Sequence, residues 1–103
     1  MTTDLRKIND LDRLIHEPAR LMILTILAVT QSADFLFLER ETGLTRGNLS
    51  THLGRLEEAG YIRIEKTYKG KLPLTVCKLT SAGEKAFNAY RSQLLQIVRS
   101  AGK

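Results

Sequence analysis

The chain has 103 residues, 43% of them hydrophobic and 26% charged, a composition that indicates one folded domain over 1–103 rather than a disordered segment. Sixteen Lys and Arg against eleven Asp and Glu give a net charge of +5, which favours a polyanionic partner such as nucleic acid or an acidic membrane surface. The single cysteine, Cys77, excludes an intramolecular disulfide, and because only two histidines accompany it we predict no metal site.

The start of the chain and its longest apolar run bear on location. Residues 1–12 are charged throughout and contain no apolar signal core, and the run Leu21–Val29 is far too short to cross a bilayer. We therefore expect a cytoplasmic protein that is neither exported nor membrane-spanning.

Apolar spacing in the first half of the chain predicts four helices. Recurrence at three- and four-residue steps indicates an amphipathic helix over 3–16. A second helix begins at Pro18, because the missing N–H of proline has no intrahelical partner at a first position, and it is apolar almost all round. A third covers Phe35–Thr42, with Gly43 just past its end. The fourth, Thr45–Ala59, starts at a residue that can cap it.

The period then changes to that of β-strands. Alternating apolar residues predict strands over Tyr61–Lys66 and Leu74–Thr80, joined by a hairpin loop over Tyr68–Pro73 that contains a glycine and a proline. A fifth helix spans 81–100, and its first residue, Ser81, has a glutamate at capping-box spacing. The predicted fold class is therefore α+β, mainly α, with five helices and a two- to three-stranded hairpin.

A short helix, a glycine-containing turn and a second helix with a leucine stripe form the pattern of a helix-turn-helix, whose second helix can enter the major groove of DNA. If Leu49, Leu53 and Leu56 face inward, the opposite side of the helix presents small or hydrogen-bonding residues. We predict DNA contacts from this helix through five side chains, those of Arg46, Asn48, Ser50, Thr51 and Arg55.

Residue chemistry assigns roles on this surface. Asn48 can form two hydrogen bonds with adenine, Arg55 can bind guanine or a phosphate, and the two hydroxyls can bind base edges or backbone. Gly47 and Gly54 each cost roughly 1 kcal/mol in a helix interior relative to alanine. A close approach to DNA would explain them, and tolerated imperfection is the alternative.

The acidic end of the same helix limits where contacts are expected. Glu57 and Glu58 lie in the last turn and repel phosphate. We therefore expect the DNA contacts to be confined to Arg46–Arg55. The alternative is an amphipathic surface helix of no special role.

Positive charge is concentrated in the hairpin. Four basic residues face a single acid between Arg63 and Lys71, and such a loop suits contact with phosphates or the minor groove. A solvated charged hairpin is the alternative. Tyr68 could donate a hydrogen bond to a phosphate, or pack its ring and leave its hydroxyl in water. We define the wing as 66–73 and predict DNA contacts from its three lysines, Lys66, Lys69 and Lys71.

Several segments together resemble the small prokaryotic winged-helix transcription regulators of the MarR/ArsR type, over about Leu11–Val98. The resemblance implies a homodimer that binds a pseudo-palindromic promoter site, with the recognition helix in the major groove and the wing alongside. The run Gly47–Leu53 and the sequence Leu-Glu-Glu-Ala-Gly-Tyr are fairly specific together. The segments that carry the resemblance are Pro18-Ala19-Arg20, Gly43-Leu44-Thr45, 47–53, 56–62 and 79–83.

The chain departs from the metal-sensing members of that family. Those hold clustered cysteines or carboxylate–histidine sets, whereas Cys77 stands alone and His16 and His52 are far apart in sequence. Cys77 shares strand parity with Leu79, which predicts a buried packing residue rather than a redox-sensing thiol. We expect His52 to be a packed or capped imidazole, with a phosphate contact as the alternative, and His16 simply to end a helix.

Two amphipathic helices flank the helix-turn-helix and the hairpin. Each of these helices carries an apolar stripe, and a monomer of this size has too little core to bury both stripes completely. We therefore expect 3–16 and 81–100 to form a homodimer interface. A twofold dimer would place its recognition helices about 34 Å apart, one turn of DNA. Alternatively, the C-terminal stripe folds back onto the helix that contains Leu21–Leu27. The stripes comprise Leu5, Ile8 and Leu11, and Tyr90, Leu94, Ile97 and Val98.

No Ser/His/Asp or Cys/His set and no phosphate-binding glycine loop is present, so we predict no catalytic residues and no cofactor. The hypothesis is a sequence-specific transcription regulator that binds a pseudo-palindromic operator as a homodimer through the 45–59 helix and the 66–73 wing. The alternative is a winged-helix protein–protein interaction module whose basic wing docks on an acidic partner, and RNA is a further candidate ligand. No residue marks an effector pocket.

Overall fold

The computed structural model describes residues 5–101, which form five helical segments and a three-stranded sheet. In chain order these are a 3-10 helix Leu5–Asp10, helix α1 Pro18–Thr30, strand β1 Ser32–Asp34, helix α2 Phe35–Thr42, helix α3 Arg46–Glu58, strand β2 Ile62–Lys69, strand β3 Leu72–Leu79 and helix α4 Ser81–Ala101. The predicted α+β class, mainly α with five helices and one hairpin, is confirmed.

The N-terminal segment differs from its prediction. In place of a helix over 3–16 the chain forms a 3-10 helix over Leu5–Asp10, followed by turns before α1; Thr3, where the helix was predicted to begin, lies outside the described residues. Asp12 explains the interruption, because its side-chain oxygen accepts a hydrogen bond from the N–H of Leu14 (2.9 Å). A short polar side chain that bonds the nearby backbone in this way competes with helix formation.

Helix α1 is the centre of the core. Pro18 stands in its first turn, and the side chain of Glu17 caps it by accepting a hydrogen bond from the N–H of Arg20 (2.8 Å). The helix contacts α2, α3, α4, β1 and β3. Three of its side chains have no exposed surface, namely Ile23, Leu24 and Leu27.

The sheet has the order β1-β3-β2 and is antiparallel throughout. Strand β1 was not predicted from the sequence, because it has only three residues and its last residue, Asp34, also caps α2 by accepting a hydrogen bond from the N–H of Phe37 (2.8 Å). The loop predicted over Tyr68–Pro73 is shorter than expected. The strands pair as far as Lys69 and Leu72, which leaves a two-residue turn that begins at Gly70 with a φ of +64°, the glycine pattern of a type II′ turn.

Helix α4 is capped by Thr80, not by Ser81. The Thr80 hydroxyl oxygen accepts a hydrogen bond from the N–H of Gly83 (3.0 Å) and donates one to the carbonyl of Gly60 (2.6 Å). The capping-box prediction at Ser81 and Glu84 was therefore wrong by one residue, since the preceding threonine already satisfies the first turn.

The first turn of α4 packs directly on the start of β2. A Cβ atom added at Gly83 would lie 2.0 Å from the carbonyl oxygen of Tyr61 and 2.9 Å from Cδ1 of Leu79. The same carbonyl accepts a hydrogen bond from the N–H of Thr80 (3.1 Å). Glycine at position 83 is thus what allows α4 to start against the base of the hairpin.

Replacing Gly83 with alanine should lower the free energy of unfolding by about 2–3 kcal/mol, because backbone atoms rather than a flexible side chain would have to move. Urea denaturation measures the change. Ser81→Ala, at an exposed position in the same turn, is the matched control and should change stability by less than about 0.5 kcal/mol. Wild-type stability of Gly83→Ala would contradict this packing.

Candidate nucleic-acid interface

The predicted helix-turn-helix is formed by α2, a turn at Gly43 and α3. Gly43 ends α2 in the left-handed region, with a φ of +72°. Thr45 caps α3, because its hydroxyl oxygen accepts a hydrogen bond from the N–H of Asn48 (3.2 Å), and Ala59 follows the last residue of the helix. The bounds Thr45–Ala59 predicted from the sequence are therefore those of α3 with its two caps.

One side of α3 is buried and the opposite side is exposed to solvent. The leucines at 49, 53 and 56 are buried. Outside the neighbouring backbone of α3 itself, a Cβ atom added at Gly47 or Gly54 would meet no atom within 4 Å, so packing against other elements requires neither glycine. The Thr51 hydroxyl donates a hydrogen bond to the carbonyl of Gly47 (3.0 Å), which leaves its lone pairs free to accept one. The exposed residues on this side are Gly47, Asn48, Ser50, Thr51, Gly54, Arg55 and Glu58.

Arg46 is exposed but is held toward α2. Its guanidinium lies 3.6 Å from a carboxylate oxygen of Glu39 and 5.5 Å from the ring centroid of Phe35. Sequence spacing did not predict this pairing. An exposed ion pair is worth less than about 1 kcal/mol, so a phosphate can compete for Arg46.

Arg20 and His52 link α1 to α3. The Nη1 atom of Arg20 is 3.1 Å from Nδ1 of His52, and its Nε donates to the carbonyl of Leu14. Because a guanidinium only donates, Nδ1 must accept, which assigns the ring proton to Nε2. Glu17 lies 3.9 Å from the same nitrogen, too far for a hydrogen bond. The prediction of a packed or capped imidazole is confirmed, because Arg20 contacts the His52 ring and only 21% of the side chain is exposed.

Glu57 joins the end of α3 to the hairpin. Its carboxylate accepts a hydrogen bond from the N–H of Ile64 in β2 (3.1 Å). The sequence alone predicts only that Glu57 repels phosphate. The carboxylate also fixes α3 and the hairpin relative to each other.

The charges of the hairpin fall into two groups. At its base, Glu65 accepts a hydrogen bond from Arg63 (3.1 Å) and forms an ion pair with Lys78 (3.1 Å); Lys78, with a smaller effect from Arg63, lowers the pKa of the Glu65 carboxyl. The wing lysines differ. All three are exposed, and within residues 5–101 no ion pair or hydrogen bond engages their side chains.

The segment before α1 contacts both the hairpin and α4. The Tyr61 hydroxyl donates a hydrogen bond to Asp12 (2.5 Å), and this bond, with burial and the carboxylate charge, raises the pKa of Tyr61 to about 12. His16 is hydrogen-bonded through Nδ1 to the Tyr90 hydroxyl (2.7 Å). His16 therefore does more than end a helix, a role for which its sequence context gave no signal.

Cys77 is buried in the core, as predicted. Burial, and to a smaller extent the charges of Glu57 and Asp34, raises the pKa of its thiol to about 11, so the thiol stays protonated and packs as a small apolar group. Across the described part of the chain, no three His, Cys, Asp or Glu side chains are grouped to hold a metal ion. No helix there has both the length and the apolar character to span a membrane.

This arrangement defines a winged helix-turn-helix, in which an exposed polar helix stands beside a basic β-hairpin. The chain belongs to the winged helix DNA-binding domain family, whose model matches residues 19–98. An uncharacterised protein of Methanocaldococcus jannaschii is 33% identical over 89 residues, which cover 85% of this chain and 96% of that protein.

Solved structures of regulators share the fold. A transcriptional regulator homologue from Pyrococcus horikoshii OT3 superimposes with a TM-score of 0.88 at 24% identity, over 94% of this chain and 98% of its own. A MarR-family transcriptional regulator from Silicibacter pomeroyi gives 0.67 at 23% identity, over 89% of this chain and 60% of its own. The predicted winged-helix fold is confirmed, and a MarR-family regulator shares it.

Replacing Tyr61 with phenylalanine should lower the free energy of unfolding near neutral pH by about 1 kcal/mol, because it removes the hydrogen bond to Asp12. The folded pKa of about 12 lies above the unfolded value of about 10. The contribution of Tyr61 is therefore complete below about pH 10 and is lost as the pH rises through about 12.

Urea denaturation of wild type and variant at intervals from about pH 7 to pH 11 tests this expectation. The stability difference should shrink above about pH 10. Tyr68→Phe, at a hydroxyl with no protein partner within residues 5–101, is the matched control and should show little difference at neutral pH. A Tyr61→Phe difference that stays constant across the range would refute the role of the hydrogen bond.

Proposed function

We propose that this protein is a sequence-specific transcription regulator that binds DNA with α3 in the major groove and the wing against the neighbouring backbone. One observation carries the proposal: the polar face of α3 and the three wing lysines are exposed and make no ion pair within residues 5–101, apart from Arg46. Exposed unpaired cations beside a polar helix suit a phosphate backbone. The whole chain, 1–103, would act as one DNA-binding unit.

Roles on α3 follow from donor and acceptor chemistry. Asn48 would bind adenine through two hydrogen bonds, and Arg55 would bind guanine or a phosphate. Ser50 and Thr51 would bind base edges or backbone, with Thr51 acting as an acceptor while its hydroxyl donates to Gly47. Arg46 would exchange Glu39 for a phosphate at the start of the helix.

A homodimer is part of the proposal, but its surface differs from the one expected. Tyr90 and Ile97 are buried within the chain, so part of the C-terminal stripe does fold back onto the core. Val98 remains 57% exposed and Val29 82%. A groove of about 550 Å³ lies between α1 and α4. The apolar residues that a second copy would cover are Leu5, Ile8, Met22, Val29, Leu95 and Val98.

Val98→Glu should dissociate the dimer and weaken operator binding, because it would place a charge in an apolar interface. Its monomer should stay folded, since residue 98 is exposed. Sedimentation and anisotropy on a duplex selected by the wild type measure both effects. Gln96→Glu, with the same new charge on another side of α4, should remain dimeric. A dimeric Val98→Glu with unchanged affinity would place the interface elsewhere.

Substitutions in the wing and in α3 should have different effects, the first on affinity for all DNA and the second on sequence specificity. Lys69→Ala should weaken binding to every duplex and reduce the slope of log affinity against log salt by about one. Asn48→Ala should instead cost about 1–3 kcal/mol at one base position and relax the preference there. Fluorescence anisotropy with selected and unrelated duplexes over a salt series measures both.

Lys85→Ala removes the same charge from an exposed site on α4 and is the matched control; it should change affinity less than Lys69→Ala. Unchanged low-salt affinity of both Lys69→Ala and Asn48→Ala would show that these residues do not contact DNA. Failure of the wild type to bind any duplex would favour the alternative, a module that docks on an acidic protein partner. The proposed regulator has no catalytic role and acts in the cytoplasm.

A further inference from the structure

Two large apolar side chains stand exposed at the tip of the hairpin. Tyr68 is 70% exposed and Leu72 is 69% exposed, and they lie on either side of the two-residue turn at Gly70. No acidic residue occurs within the wing, 66–73. The tip therefore carries two exposed apolar side chains, and all of its charged residues are basic.

The two apolar residues lie on opposite faces of the hairpin. Directly paired residues of an antiparallel ladder share a face, and successive residues alternate between faces. Leu72 pairs with Lys69, whereas Tyr68 pairs with Pro73. Leu72 thus shares its face with one wing lysine and directly follows another, Lys71.

The hairpin extends far enough from the core to present this tip to a ligand. The last fully buried residue, Cys77, pairs with Ile64, and five more pairs follow before the turn, which corresponds to roughly 16 Å at about 3.3 Å per residue. The minor groove of DNA is only about 6 Å wide. A two-stranded hairpin is too wide to enter it, but one side chain at the tip fits.

Resting on the DNA-binding function proposed above, we propose that Leu72 is a wedge that enters the minor groove and partly unstacks one base step. Lys69 and Lys71 bind the phosphates on either side of the groove. Apolar side chains inserted between bases act in this way in other DNA-bending proteins, and they favour flexible pyrimidine–purine steps such as TA. Duplex DNA is the occupant that fits, because its phosphates complement the lysines, whereas two apolar residues on opposite faces are too few to anchor in a membrane.

The test uses 30-base-pair duplexes that carry a site selected by the wild type, with 2-aminopurine placed at successive flanking steps. Wild type should raise the fluorescence at one step and should bind more tightly when that step is TA than when it is a stiff AA step. Leu72→Ala should lose the fluorescence rise and about tenfold of the affinity for the TA duplex. Its melting temperature should match that of wild type, because the side chain is largely exposed.

Two variants supply the controls. Tyr68→Ala removes an equally exposed side chain from the other face and should keep the fluorescence rise. Lys69→Ala should weaken binding to both duplexes equally and preserve their ratio.

Specific results would overturn the wedge. They are an unchanged fluorescence rise and TA preference in Leu72→Ala, loss of the rise in Tyr68→Ala instead, or wild-type binding without unstacking at any step. Leu72-dependent binding to phosphatidylserine vesicles in place of unstacking would also overturn it. If wild type binds no duplex, the DNA-binding function itself fails, which distinguishes that result from the failure of the wedge alone.

Discussion

The complete burial of one face of helix α1 determines the arrangement of this molecule. Side chains of α1 at positions 23, 24 and 27 have no exposed surface, and three helices and two strands pack around them. A chain of 103 residues is too small for a second core of comparable size. Helix α3 and the hairpin therefore take their relative positions from a common apolar centre rather than from the loops between them.

Apolar packing holds helices and strands close together, but it does not by itself fix their relative orientation, because the hydrophobic effect has no preferred direction. Three polar contacts from the nine residues 12–20 supply direction: Asp12 bonds Tyr61 at the base of the hairpin, His16 bonds Tyr90 in α4, and Arg20 bonds His52 in α3. Each contact joins the entrance of α1 to a different element. The stretch 12–20, which ends in the first turn of α1, is thus a structural junction.

Local signals explain what the sequence predicted well. Gly43 predicted the end of α2 and the capping residue Thr45 predicted the start of α3. Helical periodicity predicted which face of α3 is exposed. Some errors were local, at Asp12, at Ser81 and in the length of the hairpin loop. The features that the sequence did not predict at all depend on contacts between separate elements. Strand β1 exists only because it pairs with β3 some 45 residues later, and no local pattern shows that Glu39 faces Arg46 or that Asp12 faces Tyr61. Periodicity locates a surface, but pairing on that surface depends on tertiary packing.

The hydrogen bond between Glu57 and the N–H of Ile64 bears on how copies of this chain behave at high concentration. Strand β2 is an edge of the sheet, and an open edge is a template on which another chain can add a strand. Glu57 occupies one of the donor groups there, and lysines follow at 66 and 69 along the same strand. Adding a second hairpin would displace that carboxylate and bring like charges together. The carboxylate of Glu57 and the lysines at 66 and 69 therefore protect the protein from edge-to-edge aggregation.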